Sequence, residues 1–282
     1  MPGKSLRKMV EEALGRKVSL GLDLIGDIAI LRLPQVSREE EAKIAEIVMR
    51  VHRNVKAVFK QVSPVSGEFR LRRLEHLAGE KRLETVHREY GCLFKVNVAE
   101  AYFSPRLHHE RFRVARLVSQ GEVVVNFFAG VGCFSIMAAK HGKPSKVYSI
   151  DLNPAAYRYM KENILLNRVV GIVEPMLGDA AKLAEEKLER VANRVLLPLP
   201  ELAQHYLPYA AKCLKARRGW IHYYDFVEAR KPREALKEAL KLIPEQVEGF
   251  KLQTVYGRIV RSVGPGRWQI VLDVKAEPLK PV

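Results

Sequence analysis

Val123–Val124–Val125–Asn126 is an apolar run that ends in Phe127-Phe128-Ala129-Gly130-Val131-Gly132, and an apolar helical pattern follows from Cys133 to Lys140. Gly130 and Gly132 let the backbone take positive φ and approach a ligand closely. The helix behind them offers free N–H groups. About twenty residues on, the spacing of a nucleotide-binding unit, a second apolar run from Lys146 to Ile150 ends in Asp151. A carboxylate there can accept hydrogen bonds from both hydroxyls of a ribose. It can also cap the helix that Pro154 opens. Asp179, in Leu177-Gly178-Asp179-Ala180, follows a third strand-like run. An acid or its following N–H at such a place reads an adenine edge or caps a helix. A lone Gly-x-Gly is weak evidence, as readily a structural turn as a ligand cradle; with two acids after successive strands it predicts an adenosine-containing cofactor.

A second constellation lies upstream, in Tyr102-Phe103-Ser104-Pro105-Arg106-Leu107-His108-His109-Glu110-Arg111. Arg106 and Glu110 are spaced i, i+4 and are expected on one helix face, where a plain salt bridge is the simplest reading. The adjacent His108 and His109 should point in different directions, so no metal site is expected.

The elements that must position these groups follow from periodicity. Residues 1–17 read as a short basic helix or tail. Val18 to Leu33 alternates around Gly26-Asp27, predicting strand, turn, strand. Ser37-Arg38-Glu39-Glu40 is a capping box, and Ile44, Ile47, Val48 and Val51 follow at helical spacing. Val55–Val62, Thr85–His87 and Leu93–Val98 are short strand candidates. Phe69-Arg70-Leu71-Arg72-Arg73-Leu74 alternates apolar and basic, predicting a strand with arginines on one face. A helix from Leu107 to Ser119 leads into alternation: strand 123–127, helix 133–140, strand 147–150, helix 154–166, strand 172–176, helix 180–188, strand 194–197, helix 201–214, strand 220–224, helix 232–241. Strands 249–257 and 268–274 have no helix between them and should pair antiparallel. This predicts a small α+β domain over 18–100. Residues 101–282 should form an α/β domain with a seven-stranded, mostly parallel sheet ending antiparallel, the plan of class I methyltransferases rather than of the six-stranded dinucleotide fold.

Composition narrows the partners. Forty-eight Lys and Arg against 32 Asp and Glu give a net charge of +16, and the pI is near 9.8. Such an excess attracts polyanions, with nucleic acid first among them. The Lys and Arg residues of 50–73 and 106–116 are the expected contact surface. No apolar run reaches the ~20 residues that span a bilayer, and Met1–Lys8 lacks a signal-peptide core. Three scattered cysteines form neither a metal-ligand spacing nor a disulfide framework, which points to a reducing cytoplasm. A monomer is expected.

Tyr102-Phe103-Ser104-Pro105-Arg106-Leu107 with Glu110-Arg111, Phe128-Ala129-Gly130-Val131-Gly132, Asp151-Leu152-Asn153-Pro154 with Asn163 and Asn167, and Ile221-His222-Tyr223-Tyr224 together resemble the archaeal and eukaryotic tRNA (guanine-37-N1)-methyltransferases. The resemblance runs from about Asp23 to Asp273 and implies S-adenosyl-L-methionine as cofactor and N1 of guanine 37, in the anticodon stem-loop of tRNA, as target. It makes Glu110 the general base and Arg70 the guanidinium at O6, with Arg72 and Arg73 as alternates. Tyr102, Arg111, Phe128, Gly130, Gly132, Asp151, Leu152, Asp179, Ala180 and Pro198 would line the cofactor site. Arg106, Arg72, Arg73 and Pro200 would meet the tRNA, through the small domain and the start of the large one.

Three departures stand out. Asn126 occupies a place where the family usually has Asp, and Pro198-Leu199-Pro200 replaces its Asn-Leu-Pro. The N-terminal module that grips the tRNA elbow in some members is expected to be reduced or absent. A sister family transfers the aminocarboxypropyl group to a wyosine precursor at the same nucleotide; it lacks the Phe-Ser-Pro-Arg-Leu run kept here, which favours methyl transfer. Methylation at C7 of the imidazopurine is a further alternative, as is a cofactor-binding, tRNA-binding protein with weak activity.

Overall fold

Ser5 opens the first element of the computed structural model, which describes residues 5–279 and forms two units, Met1–Arg106 and Leu107–Val282. In the first unit, helix α1 (Leu6–Leu14) sends Val10 into a core with Leu31, Ile44, Val48 and Val58. The N-terminal segment is therefore a packed helix, because one apolar face meets a buried partner. Strands β1 (Gly21–Ile25) and β2 (Ile28–Arg32) pair antiparallel about the Gly26-Asp27 turn, as the alternation predicts. Helix α2 (Arg38–Val51) starts at the expected capping box: Ser37 Oγ accepts the Glu40 amide at 3.2 Å, and Glu40 accepts the Ser37 amide at 2.9 Å. Strand β3 (Ala57–Gln61) runs parallel to β2, and β4 (Leu74–Gly79) runs antiparallel to β3. Strands β5 (Glu84–Glu89) and β6 (Cys92–Asn97) form a separate hairpin.

The alternating run Phe69–Leu74 is not a strand. Gly67 and Arg70 both take positive φ, at 75° and 54°, and the Arg70 amide donates to Gly67 O at 3.0 Å. The chain reverses there, leaving one isolated bridge between Ser66 and Leu71. The alternation reflects ion pairing instead, since Arg72 is drawn inward toward Asp23, 3.5 Å away.

The second unit opens with α3 (His108–Leu117), preceded by a 3-10 turn at Pro105–Leu107. Strand β7 (Val123–Asn126), helix α4 (Cys133–His141), strand β8 (Lys146–Asp151), helix α5 (Pro154–Leu166), strand β9 (Val173–Leu177) and helix α6 (Ala180–Lys187) follow in alternation. Strand β10 (Arg194–Leu197), helix α7 (Ala203–Cys213), strand β11 (Gly219–Glu228) and helix α8 (Pro232–Leu240) continue it. The two-residue β12 (Gln246–Val247), β13 (Phe250–Gly264) and β14 (Arg267–Pro278) close the chain. The sheet order is β12-β13-β14-β11-β10-β7-β8-β9, which is the seven expected strands plus β12 at one edge. Strand β14 lies antiparallel between β11 and β13, and both of its hairpin strands outrun their predicted lengths through bulges between Thr254 and Gly264. The chain crosses from edge strand β9 back to β10, on the far side of β7. That reversal falls at the carboxyl ends of β7 and β10, the place where ligands of such sheets sit.

Candidate active site

The turn after β7 is built around three positive-φ residues: Phe128 at 57°, Gly130 at 59° and Gly132 at 91°. Gly132 is the cap of α4, and a Cβ there would lie 3.0 Å from Met160 Cγ and 3.1 Å from Ile136 Cδ1. Helix α5 steadies the turn, because Asn163 Nδ2 donates to the Val131 carbonyl at 3.0 Å. Asp151 ends β8 and receives the Gly130 amide on Oδ2 at 2.6 Å and the Asn153 amide on Oδ1 at 2.9 Å. Burial raises the pKa of Asp151, and the two amides work in the opposite direction. Each carboxylate oxygen keeps lone-pair capacity for a ribose hydroxyl.

Asn126, at the end of β7, donates through Nδ2 to Ser135 Oγ at 2.9 Å, and Ser135 meets Ser149 Oγ at 2.6 Å. This amide bridges β7, α4 and β8, a donor role that an ionised aspartate could not fill. Its Oδ1 is buried with no hydrogen-bond partner. An orphaned acceptor beside the glycine turn, together with Asp151, suits the polar atoms of S-adenosyl-L-methionine.

Asp179 is both a cap and an anchor. Its Oδ1 accepts the Lys182 amide at 2.9 Å at the start of α6, and its Oδ2 accepts the Tyr206 hydroxyl at 2.9 Å. Tyr206, on α7, packs edge-on against Phe128 with ring centroids 4.7 Å apart. Sequence reasoning missed Tyr206, because nothing local links α7 to the loop after β9. Ala180 is buried, whereas Leu152 is exposed at the end of β8.

The loop after β10 carries Pro198 and Pro200. Pro200 is buried, and Glu201 takes φ 77°. Asp225 on β11 holds this loop: its Oδ1 accepts the Glu201 amide at 3.0 Å and its Oδ2 accepts the Tyr223 hydroxyl at 2.6 Å.

Glu110 faces the sheet from the first turn of α3 and is 1% exposed. It does not share a face with Arg106 in a salt bridge, as the i, i+4 spacing suggested. The 3-10 turn takes Arg106 out of the helix, and Glu110 pairs with Arg113, one turn on. Arg113 Nε lies 3.1 and 3.0 Å from the two carboxylate oxygens, and Nη2 donates to Oε1 at 2.8 Å. The Tyr224 hydroxyl donates to Oε1 at 2.8 Å. Arg111, next to Glu110, is buried. His108 and His109 do not diverge; their ring centroids lie 3.9 Å apart. Among the described residues no group of three or more His, Cys, Asp and Glu could hold a metal ion.

In the first unit, Arg70 lies over the Tyr102 ring at 5.7 Å, which brings two expected site residues together. Arg72, Arg106 and Arg32 converge on Asp23, with Arg106 Nε 2.8 Å from Oδ1 and Arg32 Nη1 2.6 Å from Oδ2. Burial pushes Asp23 up, but these guanidinium groups hold it below its ordinary value. Two of the expected tRNA contacts, half-buried Arg72 and exposed Arg106, are thus engaged with the buried Asp23 carboxylate, while Arg73 is exposed.

The chain resembles known proteins along nearly its whole length. Residues 85–249 match the TRM5/TYW2 methyltransferase domain, and residues 4–82 match the TYW2 N-terminal domain. A Pyrococcus abyssi protein named tRNA (guanine(37)-N(1))-methyltransferase Trm5b is 39% identical, over 94% of this chain and 78% of the relative. A Saccharolobus solfataricus protein named tRNA 4-demethylwyosine(37)-methyltransferase Taw21 is 38% identical, over 90% of this chain and 93% of the relative. The crystal structure of M. jannaschii TYW2 in complex with AdoMet superposes with a TM-score of 0.66 at 32% identity, covering 92% of this chain and 100% of that one. With the catalytic-domain match spanning more than half of the sequence, the chain belongs to the TRM5/TYW2 methyltransferase family.

Proposed function

We propose that this protein methylates N1 of guanine 37 in tRNA, with S-adenosyl-L-methionine as donor. The observation that carries the reading is Glu110, a buried carboxylate fixed by Arg113 and Tyr224 on the helix that follows the Phe-Ser-Pro-Arg-Leu run. Guanine N1 bears a proton and attacks only once that proton leaves, so a held carboxylate is the group the reaction needs. Glu110 accepts the proton, and the Arg70 guanidinium meets the charge that develops on O6. The bound cofactor supplies an electrophilic methyl group on its sulfonium. Asp151 holds the ribose hydroxyls, Asp179 and Ala180 the adenine edge, and Asn126 Oδ1 a polar hydrogen. Gly130, Gly132, Phe128, Leu152, Tyr102, Arg111 and Pro198 complete that site.

Relatives with tRNA-modifying names and the basic charge support tRNA as the partner. Arg73 and Arg106, both exposed, are the expected tRNA contacts, while Arg72 acts through the Asp23 cluster and Pro200 as buried backbone. The first unit serves as the tRNA-contacting domain, and we read the protein as a cytoplasmic monomer. Among the described residues no helix is long and apolar enough to cross a membrane.

A second reading, a wyosine-pathway reaction at the same nucleotide, draws on the match of residues 4–82 to the TYW2 N-terminal domain and on Pro198 in place of the family's Asn. Incubation with labelled cofactor and guanine-37 tRNA, adenine-37 tRNA or tRNA bearing a wyosine precursor at position 37, followed by nucleoside mass analysis, decides. N1-methylguanosine from the guanine substrate alone is expected. Modification only of a wyosine precursor, or addition of an aminocarboxypropyl mass, would overturn the first reading.

A further inference from the structure

Glu110 is the near end of a chain of charged groups that crosses the second unit. Arg113 divides its fork between two carboxylates: Nε and Nη2 go to Glu110, while Nη1 reaches Asp273 Oδ2 at 2.6 Å and Nη2 reaches Oδ1 at 2.9 Å. Asp273 Oδ1 in turn meets His222 Nδ1 at 2.6 Å, and His222 Nε2 meets Arg194 Nη1 at 2.7 Å. Because Arg194 can only donate, Nε2 must accept and Nδ1 must carry the hydrogen. His222 is therefore neutral, and its burial favours that form. Glu122 balances Arg194 at 2.8 Å.

We propose that Asp273 is a positioning residue that acts through Arg113 to keep Glu110 an effective base. The inference rests on the methylation reading above. A carboxylate paired one-to-one with a bidentate arginine is a poor proton acceptor, because the guanidinium favours its ionised form. Here one guanidinium serves two carboxylates, so Asp273 draws off half of the fork and adds a like charge nearby. The groups facing Glu110 are Arg113 from α3, the Tyr224 hydroxyl from β11 and Arg258 from β13, whose Nε is 3.7 Å away. Asp273 from β14 and neutral His222 from β11 stand behind Arg113. A cavity of about 560 Å3 is lined by Arg113, His222 and Asp273.

The test is the pH dependence of methylation of a guanine-37 tRNA with labelled cofactor. Asp273→Asn weakens the competing hold on Arg113 and removes a like charge, so the acid limb of the rate profile moves down by about half to one pH unit and the plateau falls several-fold. A limb unmoved or moved upward overturns the inference, since a merely structural role lowers the rate without that shift. Calorimetry with the cofactor reports whether the variant is folded. If it is not, His222→Leu decides: it frees Asp273 to pull Arg113 harder, and the limb moves up, whereas an unmoved limb overturns the inference. A wild-type protein inactive on guanine 37 refutes the methylation reading and this inference together; an active one with unmoved limbs in the variants refutes the inference alone.

Discussion

The backbone amide of Gly130 donates to Asp151 Oδ2 at 2.6 Å, so the glycine turn after β7 and the acid that ends β8 form one unit. Asp151→Asn puts an amide where two backbone N–H groups converge, and one of the two must lose its acceptor. A charged hydrogen bond of this kind contributes about 1.5–3 kcal/mol. Affinity for S-adenosyl-L-methionine should fall by one to two orders of magnitude, read by calorimetry. Unchanged affinity would remove Asp151 from the site.

Gly132→Ala should destabilise the fold by about 1–3 kcal/mol, because φ 91° strains any Cβ-bearing residue and the added carbon crowds Met160 and Ile136. A urea unfolding midpoint shifted to lower concentration checks this; an unshifted midpoint would mean that the turn relaxes freely.

Glu110→Gln keeps the shape and hydrogen-bonding reach of the side chain but not its proton affinity. The methylation rate should drop by about 10²- to 10⁴-fold. Cofactor affinity, measured in parallel, should hold. If the rate survives at neutral and alkaline pH, another group takes the proton.

Acid should loosen both units, with a sign set by their buried ions. Asp23 and Asp273 have lowered pKa values in the folded protein, so the stability they contribute is present above the ordinary carboxylate range and is lost as pH falls through the lowered values. His222 also has a lowered value. Between its ordinary value of 6.5 and that lower one, the unfolded chain binds the extra proton, and stability again falls with pH. Denaturant midpoints collected from neutral to acid pH should decline overall, the raised value of Asp151 opposing only part of the fall. Asp23→Asn should flatten the acid end for the first unit and cost about 3 kcal/mol at neutral pH, because Arg72 stays buried without its partner.

Affinity for tRNA should fall steeply with added salt, as expected from release of counterions by a chain of charge +16. Arg73→Glu, at an exposed position, should reduce the slope of log affinity against log salt, by about 0.7–0.9 per lost phosphate contact. A filter-binding series at several salt concentrations gives that slope, and an affinity insensitive to salt would count against nucleic-acid binding by this surface.

The local record in this chain was largely legible. The capping box at Ser37, the Gly26-Asp27 turn, the glycine turn at 130–132 and the alternation of strands and helices all depend on residues within one element of each other. They appear in the structure where periodicity and capping chemistry place them. The fold class followed from the same signals, because an unbroken strand–helix alternation leaves few ways to bury both sheet faces. Phe69–Leu74 shows the limit: its alternation has the period of a strand, but an ion pair to Asp23, far away in sequence, decided where Arg72 points. The expected pairing of Arg106 with Glu110 failed for the same reason, since Arg106 meets Asp23 instead.

By itself, then, the sequence determined the elements and the glycine turn, and its resemblance to the family singled out Glu110 as the carboxylate proposed as base. Only the tertiary structure decided what holds that carboxylate. Arg113 and Asp273 are 160 residues apart, and Tyr224 is 114 residues from Glu110. Periodicity reports which face of an element is buried, but not which distant side chain it will meet. Those partners are chosen when β11 and β14 come together antiparallel beneath α3, and they set how the reacting group is held.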